Sequence, residues 1–236
     1  MKRIILLVLI IGFILTSCDN TESQTDPNEI TLTTSDEINL TANYYETNAG
    51  DHAVLLLHMV GRDRHEYDNL LPTIMKNSYS VLALDFRGHG NSDLDYTTFT
   101  EQDWQNLVLD VQAGVDFLES KGYKKIVVIG ASIGANAALK QAVQDARIDN
   151  LILLSAGEDY HGLRALDYAQ FYDEPVLVIA SMDDTDAAVT ATRIYNAVNT
   201  KDKDLKMYQT GGHGTNLLIT QEGLPAVIGT WLKKWY

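Results

Sequence analysis

The sequence predicts an α/β fold: a mostly parallel, doubly wound sheet of about eight strands, opened by an antiparallel hairpin, with helices on both faces and no substantial lid. Three observations carry that expectation. Short, continuous apolar runs recur along the chain, amphipathic segments separate them, and the stretch that precedes them alternates apolar with polar residues. The alternation lies in "ITLTTSDEINLTANYYE", from Ile30, which reads as two strands around a Ser-Asp-Glu turn. The runs are "AVLLLHM" from Ala53, "SVLALDF" from Ser80, "KIVVIGA" from Lys125 and "NLILLSA" from Asn150, followed by "PVLVIAS" from Pro175 and "DLKMYQT" from Asp204. Unbroken apolarity over so few residues is expected of parallel strands covered on both faces. "EQDWQNLVLDVQAGVDFLESKG" is the clearest helix, since Trp104, Leu107, Val108, Val111, Val115 and Leu118 follow helical spacing and Gly122 suits the cap. A further helix is expected from about Asp186 to Val198, and "LPAVIGTWLKKWY" ends the sequence as another. In such a sheet the site belongs at the carboxyl ends of the strands.

The first thirty residues have a different character. "MKRIILLVLIIGFILTSCDN" has two basic residues, an uncharged run from Ile4 to Leu15 and small residues before Cys18, the layout of a secretory signal peptide. The run is shorter than the roughly 20 residues a spanning helix needs. "LTSC", Leu15 to Cys18, closely resembles the lipobox of bacterial lipoproteins. That resemblance implies cleavage before Cys18, a lipid on its thiol, and an exported protein anchored to a bacterial membrane on its extracytoplasmic side. Cys18 is the only cysteine, so no internal disulfide is available. "DNTESQTDPN" contains no apolar side chain and reads as a flexible tether. The organisation expected is therefore a signal peptide over 1–17, a tether over 18–29 and one domain over 30–236. Loss of residues 1–17 would remove two cations, Lys2 and Arg3, and move the net charge from −14 to −16. Such a surface argues against nucleic acid and leaves membrane association to the lipid.

"GASIG", Gly130 to Gly134, matches the Gly-x-Ser-x-Gly nucleophile elbow, and it stands where the motif requires, after an apolar strand and at the start of a helix. The glycines leave room where strand and helix crowd together around a strained serine. A serine hydroxyl needs a base, and the base an orienting carboxylate. Among six histidines, His213 lies in "QTGGHGTN", a glycine-rich loop just past the last expected strand. His52, His65 and His161 read as surface or packing residues. The strand between serine and histidine ends in "VLVIASMDDTD", which offers Asp183, Asp184 and Asp186.

With these residues in that order, the chain from Ile30 to Tyr236 resembles the α/β-hydrolase superfamily, of the serine hydrolase and esterase type. The resemblance implies that the triad acid follows a Gly-x-x-Asp pattern. Ser181 replaces the glycine, which selects Asp184, with Asp183 as the fallback. "LLLHMVGRD" occupies the place of the family's His-Gly oxyanion loop, and "LDFRGHGNSD" closely matches its Asp-x-Arg-Gly-His-Gly-x-Ser turn. By position, the backbone N–H groups of Val60 and Ile133 would hold the oxyanion. Met59 departs from the family's usual glycine. His58, Asp85, Arg87 and His89 read as loop-holding residues.

Only Glu158 to Glu174 separates the two strands between which many relatives carry a helical lid. An open pocket is expected there, bordered by Tyr160, Tyr168, Phe171 and Tyr172, although those aromatics equally fit the packing of a short helix. "RHEYD" lacks the second histidine of HExxH, and no phosphate loop, dinucleotide fingerprint or zinc-type cysteine cluster is present, so no cofactor or metal is expected. The reading is a lipid-anchored serine hydrolase that acts on small-molecule carboxylic esters through Ser132, Asp184 and His213. A thioesterase, acyltransferase, peptidase or lactone hydrolase would use the same triad, and a non-catalytic binding lipoprotein is the alternative of another class.

Overall fold

The computed structural model describes Asp26, residues 28–47 and residues 50–235. The expected signal peptide, Cys18 and most of the expected tether lie outside those residues. Asp26, inside the tether as read from sequence, accepts hydrogen bonds from Asn28 N and Asn43 Nδ2.

The strands are β1 (Glu29–Thr33), β2 (Asn39–Tyr45), β3 (His52–Leu57), β4 (Ser80–Leu84), β5 (Lys125–Ala131), β6 (Ile148–Leu154), β7 (Val176–Ser181) and β8 (Lys203–Tyr208). They form one sheet in the order β1-β2-β4-β3-β5-β6-β7-β8. β2 pairs antiparallel with both β1 and β4, and every other pair is parallel. The chain winds one way from β3 to β4 and then crosses to β5 on the other side. The crevice between β3 and β5 is therefore the topological switch point, where a site is expected. Leu57 is level with Gly130 in that pair, so the loop after β3 and the elbow after β5 leave the sheet side by side.

The helices are α1 (Leu71–Lys76), α2 (Glu101–Gln105), α3 (Leu107–Ser120), α4 (Ile133–Gln144), α5 (Ala165–Ala169), α6 (Thr185–Ala197), α7 (Asn216–Thr220) and α8 (Leu224–Trp235). Alternate residues of each central strand face opposite ways. Leu55, Leu57 and Val128 join a core with α3, α4 and α6, while Val54, Leu56, Val127 and Ile129 join a second core with α1, α7 and α8. This double coverage is why the central runs are apolar without alternation.

Two expectations need correction. The helix expected as one piece from Glu101 breaks at Asn106 into α2 and α3. Asn106, a weak helix former, stands at the C-cap of α2 with φ −73° and ψ −5°, its N–H donating to Gln102 O. The break lets Trp104 stack on His161 while Leu107, Val111 and Leu118 stay in the sheet-facing core. Of the four aromatics expected around the pocket, Tyr172 is buried with its hydroxyl donating to Pro175 O, Phe171 is exposed, and Tyr168 lies beside Lys140. Only Tyr160 reaches the residues described next.

Candidate active site

Ser132 sits at φ 55°, ψ −122°, in the left-handed region that a non-glycine residue occupies only under strain, at a cost of about 1–3 kcal/mol. The turn is enforced by crowding. A side chain at position 130 would meet Gly134 O at 2.4 Å, and one at position 134 would meet Leu57 O at 2.5 Å. Ser132 N donates to Leu154 O (2.9 Å), which ties the elbow to the end of β6.

The three residues singled out in the sequence come together. His213 Nδ1 donates to Asp184 Oδ2 at 2.6 Å, and the Ser132 hydroxyl donates to His213 Nε2 at 2.8 Å. The proton on Nδ1 is assigned from its carboxylate partner, which leaves the Nε2 lone pair to face the serine. Asp184 occupies the N-cap position of α6, where Ala188 N donates to its carbonyl. His213 projects from a loop in which Gly211, Gly212 and Gly214 all take positive φ.

Asp183 has a different set of partners. It accepts from Gly211 N at 3.1 Å and Gly212 N at 3.2 Å, and the Ser181 hydroxyl lies 2.5 Å from its Oδ1 and 2.8 Å from Gly212 O. These donors hold its carboxyl below the usual carboxylate value, the Ser181 hydroxyl contributing most. The two adjacent aspartates thus divide the work: Asp184 meets the imidazole, and Asp183 binds the loop that carries it. Ser181, in place of the family's glycine, adds a buried hydroxyl to the same loop.

The loop after β3 is held by His58 and Glu66. His58 Nδ1 donates to Met59 O (2.6 Å), and His58 Nε2 accepts from Phe86 N (3.0 Å). Burial, with His89 adding to it, pushes the His58 imidazole down to about 3, so it is neutral at physiological pH. Glu66 accepts from Met59 N (3.0 Å) and from the Thr215 hydroxyl (2.8 Å), joining this loop to the histidine loop. Burial raises the Glu66 carboxyl above its ordinary value, and those two donors oppose the rise. In the sequence Glu66 stood only in a failed metal motif, and no local signal connects it with Thr215. Met59, the departure from the family pattern, is buried in the second core, its sulfur against Gly214 where any side chain would overlap it. Among the described residues, the N–H groups of Val60 and Ile133 have no hydrogen-bond acceptor.

The turn after β4 is built from charge. Asp85 is buried, accepts from Arg64 N (2.7 Å) and Asn91 N (3.0 Å), and pairs with the Arg64 guanidinium, which also reaches Glu29 (2.6 Å). Arg87 pairs with buried Asp110 at 2.7 Å and with Asp36 at 2.7 Å. His89 Nδ1 donates to Arg87 O, and its ring stacks on Tyr96. None of these groups touches Ser132, Asp184 or His213.

Eight strands in this order, with an elbow serine at the switch point, define the α/β-hydrolase fold, and the chain has that fold. It is a serine hydrolase of the esterase type. Residues 49–163 match the family model of the serine aminopeptidases, S33. Over 70% of its length the chain is 24% identical to a carboxylesterase of Bacillus subtilis, of which it covers 85%. It is 32% identical over 102 residues to the human serine hydrolase BPHL, spanning 34% of that protein. Among solved structures, an esterase of Pyrococcus furiosus superposes with a TM-score of 0.76 at 24% identity, covering 88% of this chain and 91% of that one.

Proposed function

We propose that the protein hydrolyses small-molecule carboxylic esters through a Ser132–His213–Asp184 triad and an acyl-enzyme. One observation carries the reading: a strained serine at an elbow is hydrogen-bonded to an imidazole that is itself oriented by a carboxylate. Ser132 Oγ attacks the acyl carbon while its proton passes to His213 Nε2, and Asp184 stabilises the resulting imidazolium. The carbonyl oxygen takes up the electron pair beside the N–H groups of Val60 and Ile133. Collapse expels the leaving group with the Nε2 proton, and water reverses the sequence to free the acid. The carboxylesterase of Bacillus subtilis supports the ester class, and the short segment between β6 and β7, which holds only α5, suits a substrate approaching an open site.

The same proposal includes export and lipid anchoring at Cys18, on the extracytoplasmic side of a bacterial membrane, with "LTSC" as its support. Mass spectrometry of the mature N-terminus tests that part: an unmodified Cys18 or a retained Met1 ends it. For the chemistry, a panel of esters of graded acyl length, with thioesters and aminoacyl amides beside them, is run on wild type and Ser132→Ala. The ester reading expects the highest kcat/KM on esters and loss of that activity in Ser132→Ala. Undiminished turnover in the variant overturns it, and preference for the amides moves the reading to a peptidase.

A further inference from the structure

We propose that Tyr160 is a fourth catalytic residue, whose phenol O–H donates a hydrogen bond to the leaving-group oxygen as it departs towards His213. The inference rests on the triad reading and adds a group which that reading does not contain. The Tyr160 hydroxyl lies 3.4 Å from His213 Nε2, and the two rings meet edge to face at 81° with centroids 6.4 Å apart. Nε2 is the atom that must protonate the leaving group, so a leaving-group oxygen within reach of Nε2 also lies beside the phenol. The oxyanion forms on the other oxygen of the reacting carbon, at the backbone N–H groups, which separates the two roles.

The phenol is held there by the nucleophile's own helix. Asn136, fully buried in the first turn of α4, donates through Nδ2 to Gly157 O (2.8 Å) and Leu163 O (2.7 Å) and accepts from Gly157 N (3.1 Å). One side chain therefore clasps both ends of the segment that carries Tyr160. Inside the segment, Tyr160 and Leu163 exchange backbone hydrogen bonds at 3.2 and 2.9 Å, with His161 and Gly162 at positive φ. His161 stacks on Trp104 with ring centroids 4.3 Å apart, fixing the far side of the turn. A side chain at position 157 would come within 2.4 Å of the Tyr160 ring, so glycine there is what admits the ring. Burial, aided by Asp184 and Asp186, raises the phenol above its ordinary value. The group keeps its proton at any working pH and can only donate to a developing negative charge.

In acylation, the Ser132 proton goes to Nε2, the Oγ–C bond forms, the C–O bond to the leaving group breaks, and the Nε2 proton moves to the departing oxygen. Tyr160 keeps its own proton throughout and lowers the cost of the charge that builds on that oxygen. In deacylation the attacking water occupies the same place and accepts the same hydrogen bond.

The requirement depends on the leaving group: an alkoxide builds more charge than a nitrophenoxide. Wild type and Tyr160→Phe, which keeps the ring, are therefore compared on esters that share one acyl group and run from 4-nitrophenol to a simple alkyl alcohol. The expected result is a loss of about 10- to 100-fold in kcat/KM on the alkyl ester and a loss at least about fivefold smaller on the nitrophenyl ester. Equal losses on both esters, or no loss on the alkyl ester, overturn the proposal. Fluorophosphonate labelling of Ser132 separates the two readings. If wild type does not label, the triad reading falls and takes this one with it; if both proteins label alike while the leaving-group dependence is unchanged, only the role of Tyr160 falls.

Discussion

Two loops at the same end of the sheet are fixed by opposite means. The turn after β4, from Asp85 to Asp93, is held by guanidinium–carboxylate pairs taken almost wholly out of water: Arg64 with Asp85 and Arg87 with Asp110. The loop after β8, from Thr210 to Thr215, is held by single hydrogen bonds rather than paired charges: exposed Asp183 to two glycine N–H groups, buried Ser181 to Gly212 O, and Thr215 to Glu66. A buried pair does not forgive the loss of one partner, because the other charge remains in the interior. Single bonds at a glycine-rich loop cost little stability when cut, but they decide where the imidazole points, and a small misplacement of a reacting group is expensive in rate. The first loop is thus built for folding and the second for aim.

Four outcomes test that contrast, in descending size. His213→Ala should lower kcat/KM by about 10⁴-fold or more, with thermal unfolding close to wild type; steady-state kinetics and calorimetry check it, and a loss below tenfold would refute the aim of this loop. Arg87→Met leaves Asp110 buried and unpaired, so urea unfolding should show a loss of about 3–5 kcal/mol. The fraction that remains folded should still label at Ser132 at the wild-type rate. Asp183→Ala frees the glycine N–H groups and should cost about 10- to 100-fold in kcat/KM for little change in the unfolding midpoint. If its stability falls as far as that of Arg87→Met, the two loops are not different in kind.

The smallest effect, taken per unit of pH, concerns His58, which spans from β3 to the start of the turn after β4. Its folded pKa is about 3, against an ordinary value of 6.5. Above pH 6.5 both the folded and unfolded chains hold it neutral and it contributes no slope. As pH falls below 6.5 the unfolded chain takes up a proton that the folded chain refuses, so stability declines by about 1.4 kcal/mol per pH unit towards pH 3. His58→Gln, followed by urea unfolding at a series of pH values beside wild type, should lack that slope, so the difference between the two proteins changes as pH falls below 6.5. Parallel curves would show that His58 carries no proton linkage.

Features that residues adjacent in the chain can encode were legible before folding. Apolar runs covered on both faces announced the parallel strands, and "GASIG" announced the strained turn, because both are consequences of residues adjacent in the chain. His213 was legible from its flanking glycines, and the family pattern singled out Asp184. What required the tertiary structure were contacts between segments far apart in sequence. Asp183 and Asp184 are neighbours of one type, and only the path of the loop after β8 decides which faces the imidazole and which binds the glycine N–H groups. Glu66 becomes a link between two loops only when Thr215, 149 residues away, folds back on it. Met59, odd beside its family, proved to be a core residue packed against Gly214. Tyr160, indistinguishable in the sequence from Tyr168 and Tyr172, reaches His213 because Asn136 clasps its segment to the helix that begins just after Ser132. Periodicity records which face of an element is buried; it does not record which polar groups meet across the gap between elements, and there the roles of these side chains are set.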